Sequence, residues 1–188
     1  MVGITLMDPN PEKICKILLS FLIPGITFLG TSNVVRNERR ILQIFSGFGS
    51  MNVMPTMRLQ YLRQNLNLVN ENHDIVIHTL NNDIPTSNDL IGLAKRYCDI
   101  VLEFKQRRRN SNIFLSLLLP RFDGRGQENA HQIVNSEITR LLSHISNVYL
   151  ISHENIANQT QFNNDGLHLS GGSFEIMAQN WLYKIGRF

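Results

Sequence analysis

Short apolar runs of strand length alternate with longer amphipathic segments along most of this chain, and that alternation restricts its fold more than any other feature. ITFLG (26–30), ILQIF (41–45), DIVIHT (74–79), NIFLSLL (112–118) and VYLI (148–151) are continuous or nearly continuous apolar runs, as expected of strands buried on both faces. Between them, 57–69 carries Leu59, Leu62, Leu66 and Val69 at helical spacing, and 88–105 carries Leu90, Leu93, Ala94, Tyr97, Val101 and Phe104. Two further helices are expected over 128–145 and 172–185. Strand and helix in alternation imply right-handed crossovers and an α/β fold, a three-layer αβα sandwich around a five-stranded parallel sheet.

At 188 residues and 43% hydrophobic content, the chain suits one domain with a substantial core. Its formal charge is only +3, and the single basic cluster is KQRRR, Lys105 to Arg109. Such a run at a helix end usually serves as a solvated tail; a salt-sensitive nucleic-acid contact through Lys105 and Arg107 to Arg109 is the alternative. Cys15 and Cys98 lie far apart and form no CxxC, so neither a disulfide framework nor a zinc site is expected. The run 17–30 resembles a signal-peptide core, but Asp8 and Glu12 dilute any positive leader and the run is too short to span a bilayer. Residues 1–25 are therefore read as a hydrophobic N-terminal extension of a domain over 26–188, in an intracellular protein without a transmembrane segment.

In a parallel sheet of this kind ligands bind beyond the carboxyl ends of the strands, so chemistry is sought just after each apolar run. GTSNVV follows the first and puts Ser32 at a strand-to-helix junction, where a serine acts as a nucleophile or simply as a helix cap. SGFGSMN follows the second, with Gly47 and Gly49 able to expose a backbone N–H; LNND follows the third, with Asn82 able to direct an amide into a pocket. Ordinary turn chemistry accounts for either one alone. In NNDGLHLSGG, Asp165-Gly166 supplies a turn that can bring the Asp165 carboxylate to His168 Nδ1, leaving Nε2 to draw a proton from a hydroxyl. The other histidines, 73, 78, 131, 144 and 153, lack such a partner and read as surface or packing residues. What distinguishes the set is combination: a serine, a glycine, an asparagine and an Asp-x-x-His all fall at one expected sheet edge.

With those residues in view, the chain resembles the SGNH hydrolases, the GDSL-type esterase and lipase superfamily, from about Ile26 to the C-terminus. DIVIHTLNND is similar to the family's strand and G-x-N-D block, DGLHLSGGSFEIMAQNW to its D-G-x-H-L block entering the last helix, and LSLLLPR, ending in Pro120-Arg121, to its fourth strand and frequent Pro-Arg ending. The resemblance implies a flavodoxin-like sandwich and a serine esterase without metal or cofactor, acting on small-molecule, lipid or carbohydrate esters. It makes Ser32 the nucleophile and a backbone oxyanion donor, Gly49 and Asn82 further donors, His168 the base and Asp165 its orienter. Two positions depart from the pattern. Gly-Asp-Ser reads Gly30-Thr31-Ser32, and the glycine of G-x-N-D is Leu80, a side chain expected to push toward the pocket. Those departures motivate the competing reading, a weakly catalytic ligand-binding or assembly module of a retroelement or viral protein.

Overall fold

A computed structural model describes residues 25–125 and 129–186; the expected extension over 1–25 lies outside them except for Gly25, which opens the first strand. Five parallel strands form one sheet in the order β2-β1-β3-β4-β5. They are β1 (Gly25–Gly30), β2 (Met51–Pro55), β3 (His73–His78), β4 (Ile113–Ser116) and β5 (Val148–Ile151). The helices are α1 (Ser32–Arg36), α2 (Glu38–Ile44), α3 (Leu59–Asn67), α4 (Leu90–Arg107), α5 (Ala130–Leu142) and α6 (Gly171–Ile185).

Side chains alternate across each strand, and two cores result. Leu29, Ile75, Ile77, Ile113 and Leu115 pack against α3, α4 and α5. Ile26, Phe28, Val76 and Phe114 pack against α1, α2 and α6 on the other face, where Phe174, Met177 and Trp181 are fully buried. The expected three-layer sandwich and its five-stranded parallel sheet are both present. The chain leaves β1 toward the α6 face and β3 toward the α3–α5 face, so a crevice opens between the carboxyl ends of these two neighbours.

One strand is not where the apolar pattern put it. ILQIF belongs to α2 and its C-cap, because Ile41, Ile44 and Phe45 recur at i, i+3 and i+4 and turn one helical stripe into the core. The second strand is MNVMP, a half-buried edge strand ending in proline, which carries too little continuous apolar character to stand out. Its register pairs Ile26 with Met51 and Gly30 with Pro55. Gly47 and Gly49 therefore precede β2 and lie at the amino-terminal edge of the sheet.

Candidate active site

Ser32 is the first residue of α1, immediately beyond β1 and Thr31. The turn is tight because α1 folds straight back: a Cβ on Gly30 would meet Val34 Cγ2 at 2.1 Å. That close approach, rather than an unusual backbone angle, demands glycine there. The carboxyl-edge loops are stitched together beneath the serine. Thr31 N–H donates to the His78 carbonyl (3.0 Å), Thr56 N–H to the Gly30 carbonyl (2.7 Å) and Thr79 Oγ1 to the Thr56 carbonyl (3.0 Å).

The loop before α6 brings an imidazole to this serine across 136 residues of sequence: Ser32 Oγ lies 2.7 Å from His168 Nε2. His168 Nδ1 lies 2.5 Å from Asp165 Oδ2, while Asp165 Oδ1 accepts the backbone N–H groups of Leu167 and His168, each at 2.9 Å. The two N–H donors hold the carboxylate in a turn whose glycine, Gly166, has φ 62°. Hydrogen bonds from the His168 backbone and then its ring keep the Asp165 carboxyl well below the ordinary carboxylate range. An ionised Asp165 fixes the proton on Nδ1 and leaves Nε2 as acceptor for the Ser32 hydroxyl. Sequence reasoning placed these three residues together, and the fold brings them into one hydrogen-bonded chain.

The proposed donors fare differently. Asn82 does sit at this edge: its Nδ2 donates to the Met57 carbonyl (3.0 Å), joining the loop after β3 to the loop after β2. One of the two amide hydrogens is used in that bond. Gly49 is a correction. It lies at the opposite edge of the sheet from Ser32, because the strand it was thought to follow is a helix; the residues that leave β2 on the Ser32 side are Thr56, Met57 and Arg58. Leu80 is a second correction. It adopts φ 77°, as a glycine would, but its side chain turns into the core and is 1% exposed, so it does not enter the pocket.

Three features were not legible in advance. Asn33, buried beside the serine, accepts Leu169 N–H on Oδ1 (3.1 Å) and so ties α1 to the residue after His168. Arg121, beyond β4, donates to the Asn81 carbonyl and to the Asp123 carboxylate. Beneath the site, Ser116 Oγ receives Trp181 Nε1–H (2.9 Å) and contacts His153 Nε2 (2.7 Å) and His78 Nδ1 (3.0 Å). Asn180 Nδ2 donates to His153 Nδ1 (3.0 Å), which places the His153 proton on Nε2 and leaves the Ser116 proton for His78 Nδ1. Burial pushes His78 down to about 4, and burial with the His78 charge pushes His153 down to about 3, so both are neutral at neutral pH. His78 and His153 are thus wired polar core rather than plain packing residues.

The basic run is largely committed to the fold. Lys105 Nζ donates to the Arg109 and Ser111 carbonyls, and Arg108 to the Asn70 and Val69 carbonyls. No group of three or more His, Cys, Asp or Glu among the described residues could hold a metal, and no described helix is long and apolar enough to cross a membrane.

No family model matches the sequence, and no curated protein gives a significant match. Solved structures do match. A Streptococcus pneumoniae protein named for platelet activating factor is 20% identical with a TM-score of 0.69, over 93% of this chain and 91% of that one. A Veillonella parvula member of the lipolytic G-D-S-L family is 14% identical (TM-score 0.65, 87% and 99% covered). The Clostridium thermocellum family 3 carbohydrate esterase is 18% identical (TM-score 0.63, 87% and 96% covered). With its five-stranded parallel sheet between layers of helices, this chain shares the fold of these structures, the SGNH hydrolase fold.

Proposed function

We propose that the protein is a serine esterase acting on carboxylic esters of acetyl or other short acyl groups. The observation that carries this reading is the 2.7 Å approach of Ser32 Oγ to His168 Nε2, with His168 Nδ1 held by Asp165. Ser32 attacks the ester carbonyl as His168 takes its proton. The alkoxide leaves with that proton, and water, deprotonated by the same imidazole, releases the acid. Charge on the tetrahedral oxygen is met by the Ser32 N–H, at the start of a helix where first-turn N–H groups lack intrahelical acceptors, and by the Asn82 amide. Gly49 has no part in it. The lipolytic and esterase names of the structural neighbours support the choice of ester chemistry. No step calls for a metal or cofactor.

Hydrolysis of p-nitrophenyl acetate and labelling by a fluorophosphonate test the reading. The wild-type chain is expected to turn over the ester and to carry the label on Ser32, and Ser32→Ala to do neither. Equal hydrolysis by wild type and Ser32→Ala, or a folded wild type that takes no label, would overturn it in favour of a binding module.

A further inference from the structure

The segment 117–123 has no strand partner beyond Leu117, whose N–H reaches the Ile151 carbonyl (2.9 Å), yet it is firmly held. Asn135 of α5 clamps its start: Leu118 N–H donates to Asn135 Oδ1 (2.9 Å) and Asn135 Nδ2 returns to the Leu118 carbonyl (3.0 Å). From that anchor, consecutive residues reach both halves of the site. Arg121 Nη1 donates to the Asn81 carbonyl, and Phe122 N–H donates to the Gly166 carbonyl (2.8 Å).

The Asn81 acceptor belongs to the peptide unit that leads directly to Asn82, and the Gly166 acceptor lies in the turn between Asp165 and His168. The Asn81 carbonyl shares its plane with the Asn82 nitrogen, so a bond to that oxygen limits how the Asn82 side chain leaves the backbone. The restraint matters because the loop is not at rest. Leu80, two residues upstream of Asn82, occupies the left-handed region, which costs a residue with a side chain about 1–2 kcal/mol. Arg121 is itself immobilised: Nε and Nη2 donate to Asp123 Oδ1 (3.2 Å) and Oδ2 (2.5 Å), and the two side chains are only 9% and 12% exposed. A planar guanidinium holds the carboxylate with two nitrogens while the third faces the carbonyl; a lysine ammonium lacks that fork.

We propose that Arg121 is a positioning residue which, through the Asn81 carbonyl, sets the Asn82 amide against the oxygen of the ester attacked by Ser32. This rests on the esterase reading above. Arg121 touches no reacting atom; its effect passes through Asn82, and Asp123 holds it in register.

A mutant cycle tests it. Wild type, Arg121→Lys, Asp123→Asn, Asn82→Ala and the Arg121→Lys/Asn82→Ala double variant are compared for kcat and KM on p-nitrophenyl acetate and for the rate of fluorophosphonate labelling. Arg121→Lys is expected to lower kcat and labelling about tenfold with KM within about threefold, the signature of an interaction made in the transition state. Asp123→Asn moves in the same direction. In the Asn82→Ala background the lysine costs no more than about twofold further, because both changes remove one interaction. Wild-type kcat in Arg121→Lys, or a tenfold loss kept in full in the Asn82→Ala background, overturns the inference while leaving the esterase reading intact. A wild type that neither turns over nor labels overturns both.

Discussion

Asn33 Oδ1 accepts the Leu169 N–H at 3.1 Å, so the residue after the candidate nucleophile grips the residue after the candidate base. Both groups are buried. Asn33→Ala strands the Leu169 N–H without an acceptor, which is expected to cost about 1–3 kcal/mol of stability. It also frees the chain next to His168, so kcat should fall more than KM rises. Urea denaturation alongside ester kinetics checks both effects; unchanged stability would mean that the N–H finds another partner.

Leu80 inverts the usual order of core substitutions. Leu80→Ala removes buried methyl groups and keeps the strained backbone, whereas Leu80→Gly removes slightly more side chain but relieves φ 77°. The glycine variant is therefore expected to be more stable than the alanine variant by about 1 kcal/mol. Paired chemical denaturation curves decide it, and an alanine variant at least as stable as the glycine one refutes the strain.

Acid should loosen the core before the carboxylates titrate. The folded values of His78 and His153, about 4 and about 3, lie below their ordinary value of 6.5. The unfolded chain then binds more protons, so their contribution is complete above about pH 6.5 and declines as pH falls toward the folded values. The loss from His78 reaches about 2 kcal/mol by pH 5. Trp181, the sole tryptophan, bonds to the same Ser116 hydroxyl. Its fluorescence is expected to report a lower urea midpoint at pH 5 than at pH 7, with a smaller difference in His78→Gln. Equal midpoints for wild type would contradict neutral burial.

Gly49→Ala is the informative silent change. Gly49 lies at the amino-terminal edge of the sheet and has no positive φ. Ester hydrolysis should stay within about twofold of wild type, whereas Asn82→Ala is expected to lose on the order of 10²-fold. A comparable loss in Gly49→Ala would place a donor where the register does not.

Residues and periodicity alone determined the layered α/β class, four of the five strands and the pairing of Asp165 with His168; that Ser32 completes the set was what the family resemblance implied. Continuous apolar runs need burial on both faces, and an Asp-Gly turn lets two side chains three residues apart converge; both constraints act within a few residues. The second strand was misread because an edge strand buries little and because ILQIF fits two periods. That one slip carried Gly49 to the wrong end of the sheet.

Only tertiary structure decided the rest. Which carbonyl Arg121 would reach, which N–H Asn33 would accept, and that Leu80 would turn inward all depend on contacts between segments 24 to 136 residues apart, such as Leu59 N–H on Asp83 and Leu169 N–H on Asn33. Local sequence sets a backbone's preferences. The partner that satisfies each buried polar group is chosen when distant loops close on one sheet edge.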